Sequence, residues 1–116
     1  MRKSMIPPRS VDGTIQTMVQ RIVDHMHPRR IILFGSYARG SVNADSDVDL
    51  LVVLPRNGSK RKQTVEIYRL LAGMGVPKDV IVVTPEEIEK YRNIPGTIIH
   101  PAMREGKVLY DATTGV

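Results

Sequence analysis

The sequence predicts a small α/β (α+β) fold in which helices cover a mixed β-sheet. Three short apolar runs bounded by turn residues are typical of buried strands, and they fall at residues 31–34, 47–55 and 78–84. Amphipathic stretches with helical spacing lie before and between these runs. The element order α-β-β-α-β-α-α-β therefore predicts one sheet with helices packed on its faces.

Length and composition predict a single domain over residues 1–116, with residues 1–10 as a lead-in and residues 112–116 as a tail, both mobile. The chain has 41% apolar and 25% charged residues, which is enough apolar material for a core. It shows no secretory signal, no cysteine and no run near the roughly 18 apolar residues of a membrane-spanning helix. These absences predict a cytoplasmic protein with no membrane partner.

The first helix is predicted to begin after Asp12, whose side chain suits an N-cap, and to end before Pro28. Its apolar residues recur with helical spacing and form one stripe. The stripe consists of Ile15, Met18, Val19, Ile22, Val23 and Met26. The first strand follows at residues 31–34 and breaks at Gly35 into a loop of small polar residues, with room for one helical turn.

A second amphipathic helix is predicted between the second and third strands, ending at Gly73 and Gly75. Its apolar stripe contains Val65, Ile67, Tyr68, Leu70, Leu71 and Met74, and its exposed face contains Lys60, Arg61, Lys62 and Arg69. Because the segment 47–83 is long enough for a crossover, the two strands are expected to be parallel. The predicted elements end with a short helix from Pro85, a helical segment at 95–106 and a strand at 107–111.

Two aspartates, Asp47 and Asp49, begin the second strand. Side chains alternate along a strand, so both are expected on the face that also carries Leu51 and Val53. Carboxylates at the start of a core-facing row repel each other and lose hydration, which is costly unless cations neutralise them. Carboxylate oxygens, water and substrate phosphates are the ligands that Mg²⁺ prefers. The pair therefore predicts a magnesium site, and the alternative is that both residues cap a loop.

Asp79 opens the third strand in the same way. If that strand lies beside the second, three carboxylates meet at one edge of the sheet, which is the layout that two-metal phosphoryl or nucleotidyl transfer needs. The alternative is a turn aspartate that follows the sequence Gly75-Val76-Pro77.

The loop after the first strand suits phosphate binding. Gly35 can adopt the backbone angles of a sharp turn, and its missing side chain lets N–H groups approach a phosphate. Ser36 adds a hydroxyl donor, and the planar guanidinium of Arg39 can reach a terminal phosphate. The alternative is that the Gly-Ser pair only closes a turn.

The stretch GSYARG followed by SDVDLLVV resembles the GSx10DxD signature of the nucleotidyltransferase fold shared with DNA polymerase beta. The chain more closely resembles the minimal nucleotidyltransferases of prokaryotes, the antitoxin-type partners of HEPN-domain proteins. The similarity extends from the first helix to about residue 110, and the late segment from DVIVVTPEEIEKYRN to PGTIIHPAMREGKVLY also resembles that subgroup.

The resemblance implies a role for each residue of the signature. Asp47 and Asp49 would bind two Mg²⁺, and Asp79 would help to bind a metal and activate the acceptor hydroxyl. The nucleotide-binding residues that it implies are Gly35, Ser36, Arg39 and Ser46. All three aspartates are present, so the sequence gives no reason to regard this chain as an inactive enzyme.

The resemblance also implies an activity and a partner. Such proteins transfer AMP from ATP to a tyrosine of a HEPN-type toxin and silence it, which implies a hetero-oligomer with that toxin. Two alternatives stay open: a non-catalytic nucleotide-binding antitoxin that neutralises its partner by complex formation, and a nucleotidyltransferase with a small-molecule acceptor. The net charge of +5 suits an anionic partner, but an aromatic content of 4% makes nucleic acid an unfavoured substrate.

Overall fold

A four-stranded mixed sheet forms the centre of the fold. The computed structural model describes residues 11–42 and 46–113, so the predicted lead-in at 1–10 and the end of the predicted tail, 114–116, lie outside the described residues. The elements are α1 (Val11–Met26), β1 (Arg30–Phe34), α2 (Ser36–Arg39), β2 (Val48–Val53), α3 (Lys60–Leu70), β3 (Lys78–Val83), α4 (Pro85–Tyr91), α5 (Ile99–Glu105) and β4 (Lys107–Asp111).

The strands are ordered β3-β2-β1-β4 across the sheet. β1 is antiparallel to both β2 and β4, whereas β2 and β3 are parallel and are connected through α3. The predicted mixed sheet, its helical cover and the parallel crossover are therefore confirmed. None of the helices in residues 11–42 and 46–113 is long and apolar enough to cross a membrane.

Each face of the sheet packs against a different set of helices, because successive side chains of a strand point to opposite faces. The first core cluster joins one face to α1 and α3, and its buried residues include Met18, Ile22, Leu50, Ile67 and Val80. The second core cluster joins the other face to α4 and α5, and its buried residues include Phe34, Leu51, Val53, Ile88 and Ala102. Asp49 in β2 and Asp79 in β3 begin the two rows of side chains that enter the second cluster.

The predicted stripe of α1 is confirmed, since Ile15, Met18 and Ile22 are buried. The predicted N-cap is wrong: α1 already includes Val11, and an N-cap must precede the first helical residue, whereas Asp12 lies within the first turn.

Two parts of the α3 prediction are also wrong. Val65 is 43% exposed because it lies two residues before the buried Ile67, which places it on the opposite side of the helix. Lys60 does not belong to the exposed face, because its Nζ contacts both carboxylate oxygens of Glu87 at 2.8 Å. α3 begins after Ser59, whose hydroxyl oxygen accepts the N–H of Lys62.

Of the two helices after β3, α4 is short as predicted and α5 is shorter than predicted. Thr84 and Glu87 form a capping box at the start of α4, where Pro85 occupies the first turn as predicted. The predicted helical segment 95–106 is an α-helix only over Ile99–Glu105, because Pro95 and Gly96 form a turn in which Gly96 has a φ of 95°.

Candidate active site

The chain reverses sharply where β1 ends. Gly35 has a φ of 75° and a ψ of −154°, a conformation that is essentially restricted to glycine. Its carbonyl oxygen accepts the N–H groups of Ala38 and Arg39, both at 3.1 Å, which starts the single turn of α2. The N–H of Ser41 then donates to the carbonyl oxygen of Ser36 at 2.9 Å. The structure thus contains the helical turn for which the loop sequence leaves room.

A second constraint on Gly35 comes from Asp49. The antiparallel register pairs Phe34 with Asp49, so the carboxylate of Asp49 lies directly beside the turn. A Cβ atom at Gly35 would overlap Oδ2 of Asp49 and would lie 3.2 Å from its Cγ. Glycine is therefore required here both for its backbone angles and for the close approach of the carboxylate.

The parallel pairing of β2 with β3 brings two of the predicted carboxylates together. Asp49 pairs in register with Asp79, so the expected neighbourhood of the two residues is present in the structure. Asp49 is half-buried, whereas Asp79 is exposed on an edge strand. Asp47 lies outside the strand and is exposed, because pairing with β3 begins only at Val48. The sequence wrongly predicted that Asp47 starts the strand.

Burial and neighbouring charges both act on the carboxyl of Asp49. Burial raises the pKa of this carboxyl above its ordinary value, and the negative charges of Asp79 and Asp47 raise it further. Arg39 from α2 acts in the opposite direction without cancelling these effects. The four side chains therefore interact electrostatically, although they come from three separate elements and from the residue that precedes β2.

The remaining two residues predicted to bind nucleotide are both serines near this turn in the sequence. Ser36 is half-buried and is the first residue of α2. Ser46 is buried and directly precedes Asp47, after the segment 43–45 that lies outside the described residues. Their part in nucleotide binding stays a prediction.

The sequence pattern did not identify Tyr68 as a polar residue near the site. The hydroxyl oxygen of Tyr68 in α3 accepts the N–H of Val80 at 2.8 Å, and the hydroxyl group donates to Oδ1 of Asp79 at 3.4 Å. The sequence pattern places Tyr68 in an apolar stripe, and its ring does pack, half-buried, against the first core cluster. The available signal was chemical, because a tyrosine hydroxyl near a core usually has a hydrogen-bond partner.

The carboxylates do not form a closed metal cage. Among residues 11–42 and 46–113, no group of three or more His, Cys, Asp or Glu side chains is arranged to hold a metal ion. Mg²⁺ is nevertheless commonly bound by one or two carboxylates together with water and substrate phosphates. Asp49 and Asp79 supply such oxygens. Burial and like charge raise the pKa of Asp49 and so disfavour its ionised form, and a cation would offset both effects. The donor set therefore fits Mg²⁺ in the company of a nucleotide.

Comparison with known sequences places this constellation in a family. The family model for the nucleotidyltransferase domain matches residues 16–102, which include the turn and all three aspartates. A relative from Methanocaldococcus jannaschii, named "Putative protein adenylyltransferase", is 35% identical over 83 residues, covering 71% of this chain and 78% of the relative. A second relative of that organism with the same kind of name is 34% identical over 53 residues, covering 46% of this chain and 52% of the relative.

Solved structures share the fold. A "putative nucleotidyltransferase" from Sulfolobus solfataricus superposes with a TM-score of 0.63 at 18% identity, covering 89% of this chain and 82% of that one. A structure described as "toxin-antitoxin with AMP-PNP" superposes with a TM-score of 0.57 at 16% identity, covering 90% of this chain and 77% of that one. From its fold, its signature residues and these relatives, the chain belongs to the nucleotidyltransferase domain family and is a nucleotidyltransferase of the minimal type.

Proposed function

We propose that this chain transfers AMP from ATP to a tyrosine hydroxyl of a HEPN-type partner toxin and thereby silences it. The observation that carries the proposal is the half-buried carboxylate of Asp49, which lies against the turn at Gly35 and beside Asp79. The relatives named as protein adenylyltransferases support AMP as the transferred group and a protein as the acceptor. The toxin-antitoxin complex with AMP-PNP among its structural neighbours supports ATP and a toxin.

The turn after β1 is the proposed site of the triphosphate. The positive φ of Gly35 turns the chain, and its lack of a side chain leaves room for Asp49 beside the turn. Ser36 and the buried Ser46 would contribute hydroxyl groups, and the exposed guanidinium of Arg39 would pair with a phosphate oxygen. Arg39 already interacts electrostatically with Asp49, which locates its charge close to the proposed metal ligands.

Asp47, Asp49 and Asp79 are the residues that would hold two Mg²⁺ once the phosphates of ATP complete the coordination. Bound there, the metal would stabilise negative charge on the phosphate oxygens and lower the pKa of the acceptor hydroxyl. The half-buried Asp49 lies between the turn and β3, whereas Asp47 and Asp79 are exposed. This arrangement leaves the outer side of the site open to substrate.

The proposed step is a displacement at the α-phosphorus of ATP. The acceptor oxygen forms a bond to that phosphorus, the bond to the bridging oxygen breaks, and pyrophosphate leaves. The acceptor proton passes to the carboxylate of Asp79. An exposed residue on an edge strand suits this role, because a side chain presented by another protein can approach it from solvent. The rest of the chain's contribution is positioning and charge neutralisation.

The experiment is the intact mass of the protein encoded by the neighbouring gene after incubation with this chain, ATP and Mg²⁺. We expect the partner to gain one or more AMP units, with the label on tyrosine in peptide mapping. The Asp49→Asn variant should add none. The matched control is Asp24→Asn, which removes an exposed aspartate of α1 that bonds only Gln20 among the described residues, and it should transfer normally.

The other outcomes separate the alternatives. A stable complex without added mass would replace transfer by neutralisation through binding. Neither mass gain nor complex would overturn the antitoxin function and would favour a small-molecule acceptor. Equal transfer by the wild type and Asp49→Asn would show that the site is misassigned.

A further inference from the structure

The hydroxyl of Tyr68 connects α3 to the edge of the sheet at the residue that follows Asp79. The Tyr68 ring packs against the first core cluster, and its hydroxyl oxygen accepts the N–H of Val80 at 2.8 Å. β3 has a neighbour only on the β2 side within the described sheet, so the hydroxyl takes the place of a missing strand at this position. The contact anchors the start of β3 to the helix that precedes it.

This contact also determines where the hydroxyl hydrogen goes. An oxygen that accepts the N–H of Val80 still has its own hydrogen to donate, and Oδ1 of Asp79 lies 3.4 Å away. In the part of the chain that the structure describes, Tyr68 is the one side chain that hydrogen-bonds Asp79. Asp79 is exposed, so without this bond its carboxylate is free to rotate in solvent.

We propose that Tyr68 is a positioning residue for Asp79, an inference that rests on the proposed function. Its hydroxyl would hold Oδ1 of Asp79 while the other carboxylate oxygen, Oδ2, remains available for metal or acceptor. A hydrogen bond from outside the ligand set commonly orients a ligating carboxylate, and its loss weakens metal affinity about 10-fold or more. Tyr68 touches neither metal nor nucleotide in this proposal and acts through Asp79.

The test measures Mn²⁺ binding in the presence of α,β-methylene-ATP. The electron paramagnetic resonance signal of the free ion reports how much Mn²⁺ is bound. Mn²⁺ has the same preference for oxygen ligands as Mg²⁺, and the analogue cannot be cleaved at the α-phosphate. We expect Tyr68→Phe to weaken Mn²⁺ binding about 10-fold. The matched control is Tyr110→Phe, because Tyr110 is half-buried against the same core cluster and its hydroxyl makes no hydrogen bond among the described residues. It should bind Mn²⁺ as the wild type does.

A double-mutant cycle separates positioning from general loosening of the fold. If Tyr68 acts through Asp79, adding Tyr68→Phe to Asp79→Asn should weaken binding no further. A further loss of similar size would overturn the inference, because it would place the effect in packing. Thermal unfolding of each variant shows whether that packing has changed.

The inference and the proposed function fail in different ways. If Tyr68→Phe binds Mn²⁺ as the wild type does while Asp79→Asn binds it weakly, the positioning role is overturned and the proposed function is left intact. Wild-type binding by Asp79→Asn would overturn both the positioning role and the assignment of Asp79. If Asp49→Asn binds Mn²⁺ as tightly as the wild type does, the metal site on which the proposed function depends is wrongly assigned.

Discussion

Two half-buried carboxylates, those of Glu87 and Asp49, lie at opposite ends of the parallel pair β2 and β3, and their surroundings shift their pKa values in opposite directions. Glu87 follows the end of β3, where Lys60 Nζ lies 2.8 Å from both of its oxygens and the N–H of Thr84 donates to it. Burial acts to raise the pKa of Glu87, but these hydrogen bonds outweigh it and the pKa is lowered. At Asp49, near the start of β2, burial and two acidic neighbours together raise the pKa.

The difference separates an acidic residue that stabilises the fold from one that we propose as a metal ligand. At Glu87 the opposite charge is part of the chain, so the ionised form is favoured before anything binds. At Asp49 the chain supplies mainly like charge, and Arg39 offsets it only in part. Clustered carboxylates with perturbed pKa values are a common property of functional sites. Under the proposed function, a bound cation would supply at the start of β2 the neutralisation that Lys60 provides at the other end.

The largest effect is expected from Asp49→Asn, at the start of β2. This change should reduce AMP transfer about 10³-fold, since it removes a central charge of the proposed metal site. It should not lower the thermal unfolding midpoint, because it also removes a half-buried charge with like-charged neighbours. Transfer by mass spectrometry and unfolding by circular dichroism measure the two effects. Near-normal turnover would contradict the metal assignment.

The next effect is expected from Gly35→Ala. The new Cβ would overlap Oδ2 of Asp49, and the positive φ would strain any residue other than glycine. We expect a loss of about 2 kcal/mol in the free energy of unfolding and a decrease in transfer of about 10- to 100-fold from the displaced carboxylate.

Gly58→Ala is the matched control for this substitution. Gly58 has a φ of 80°, but a Cβ atom there would have no neighbour within 4 Å. It should lose a similar amount of stability from backbone strain and keep normal transfer. A loss of transfer in Gly58→Ala equal to that in Gly35→Ala would show that strain alone, and not the approach to Asp49, causes the defect.

A smaller effect, confined to stability, is expected at the other end of the strands. Glu87→Gln keeps a side chain that can complete the capping box with Thr84 but loses the ion pair with Lys60. Because both side chains are partly exposed, the free energy of unfolding should decrease by about 0.5–1 kcal/mol. Urea unfolding measures it, and transfer should be unchanged.

Glu89→Gln provides the control on the same helix. Glu89 pairs with Arg92 at 3.4 Å, but its side chain is 76% exposed, so this substitution should have no measurable effect on stability. If both substitutions destabilise the protein equally, the pair of Lys60 with Glu87 is an ordinary surface contact. The claim that Glu87 stabilises the fold, in contrast to Asp49, would then be wrong.

The fold and much of the site's geometry could be predicted from local patterns. Apolar runs and helical spacing located the strands and α1, because both patterns follow from which faces are buried. The neighbourhood of Asp49 and Asp79 followed from one further step, the parallel crossover through α3. These inferences need only the period of side chains along an element and the direction of neighbouring strands.

The remaining features depend on contacts between residues distant in the sequence. The bond from Lys60 to Glu87 spans 27 positions and joins two helices, so a pattern within either helix cannot reveal it. The hydroxyl of Tyr68 reaches the edge of β3 only after the sheet has formed. The starting position of β2 likewise depends on its partner, which is why Asp47 was misplaced.

The smallest expected effect concerns the pH dependence of stability in metal-free buffer. The contributions of Asp49 and Glu87 to the free energy of unfolding should change in opposite directions as pH rises. The folded-state pKa of Asp49 is raised, so the folded protein binds a proton more readily than the unfolded chain, and stability decreases as pH rises through that window. The folded-state pKa of Glu87 is lowered, so its contribution is present above the ordinary carboxyl pKa and is lost as pH falls through the folded value.

Urea unfolding of three proteins between about pH 3 and pH 7 tests these signs. Relative to the wild type, Asp49→Asn should gain stability as pH rises, because the variant avoids the cost of ionising a carboxyl beside Asp79 and Asp47. Glu87→Gln should lose stability over the same rise, because only the wild type forms the ion pair with Lys60. Both differences should shrink toward the acidic end, where the carboxyls are protonated. Curves of the same sign would contradict the contrast, since they would mean that Asp49 is neutralised within the chain as Glu87 is.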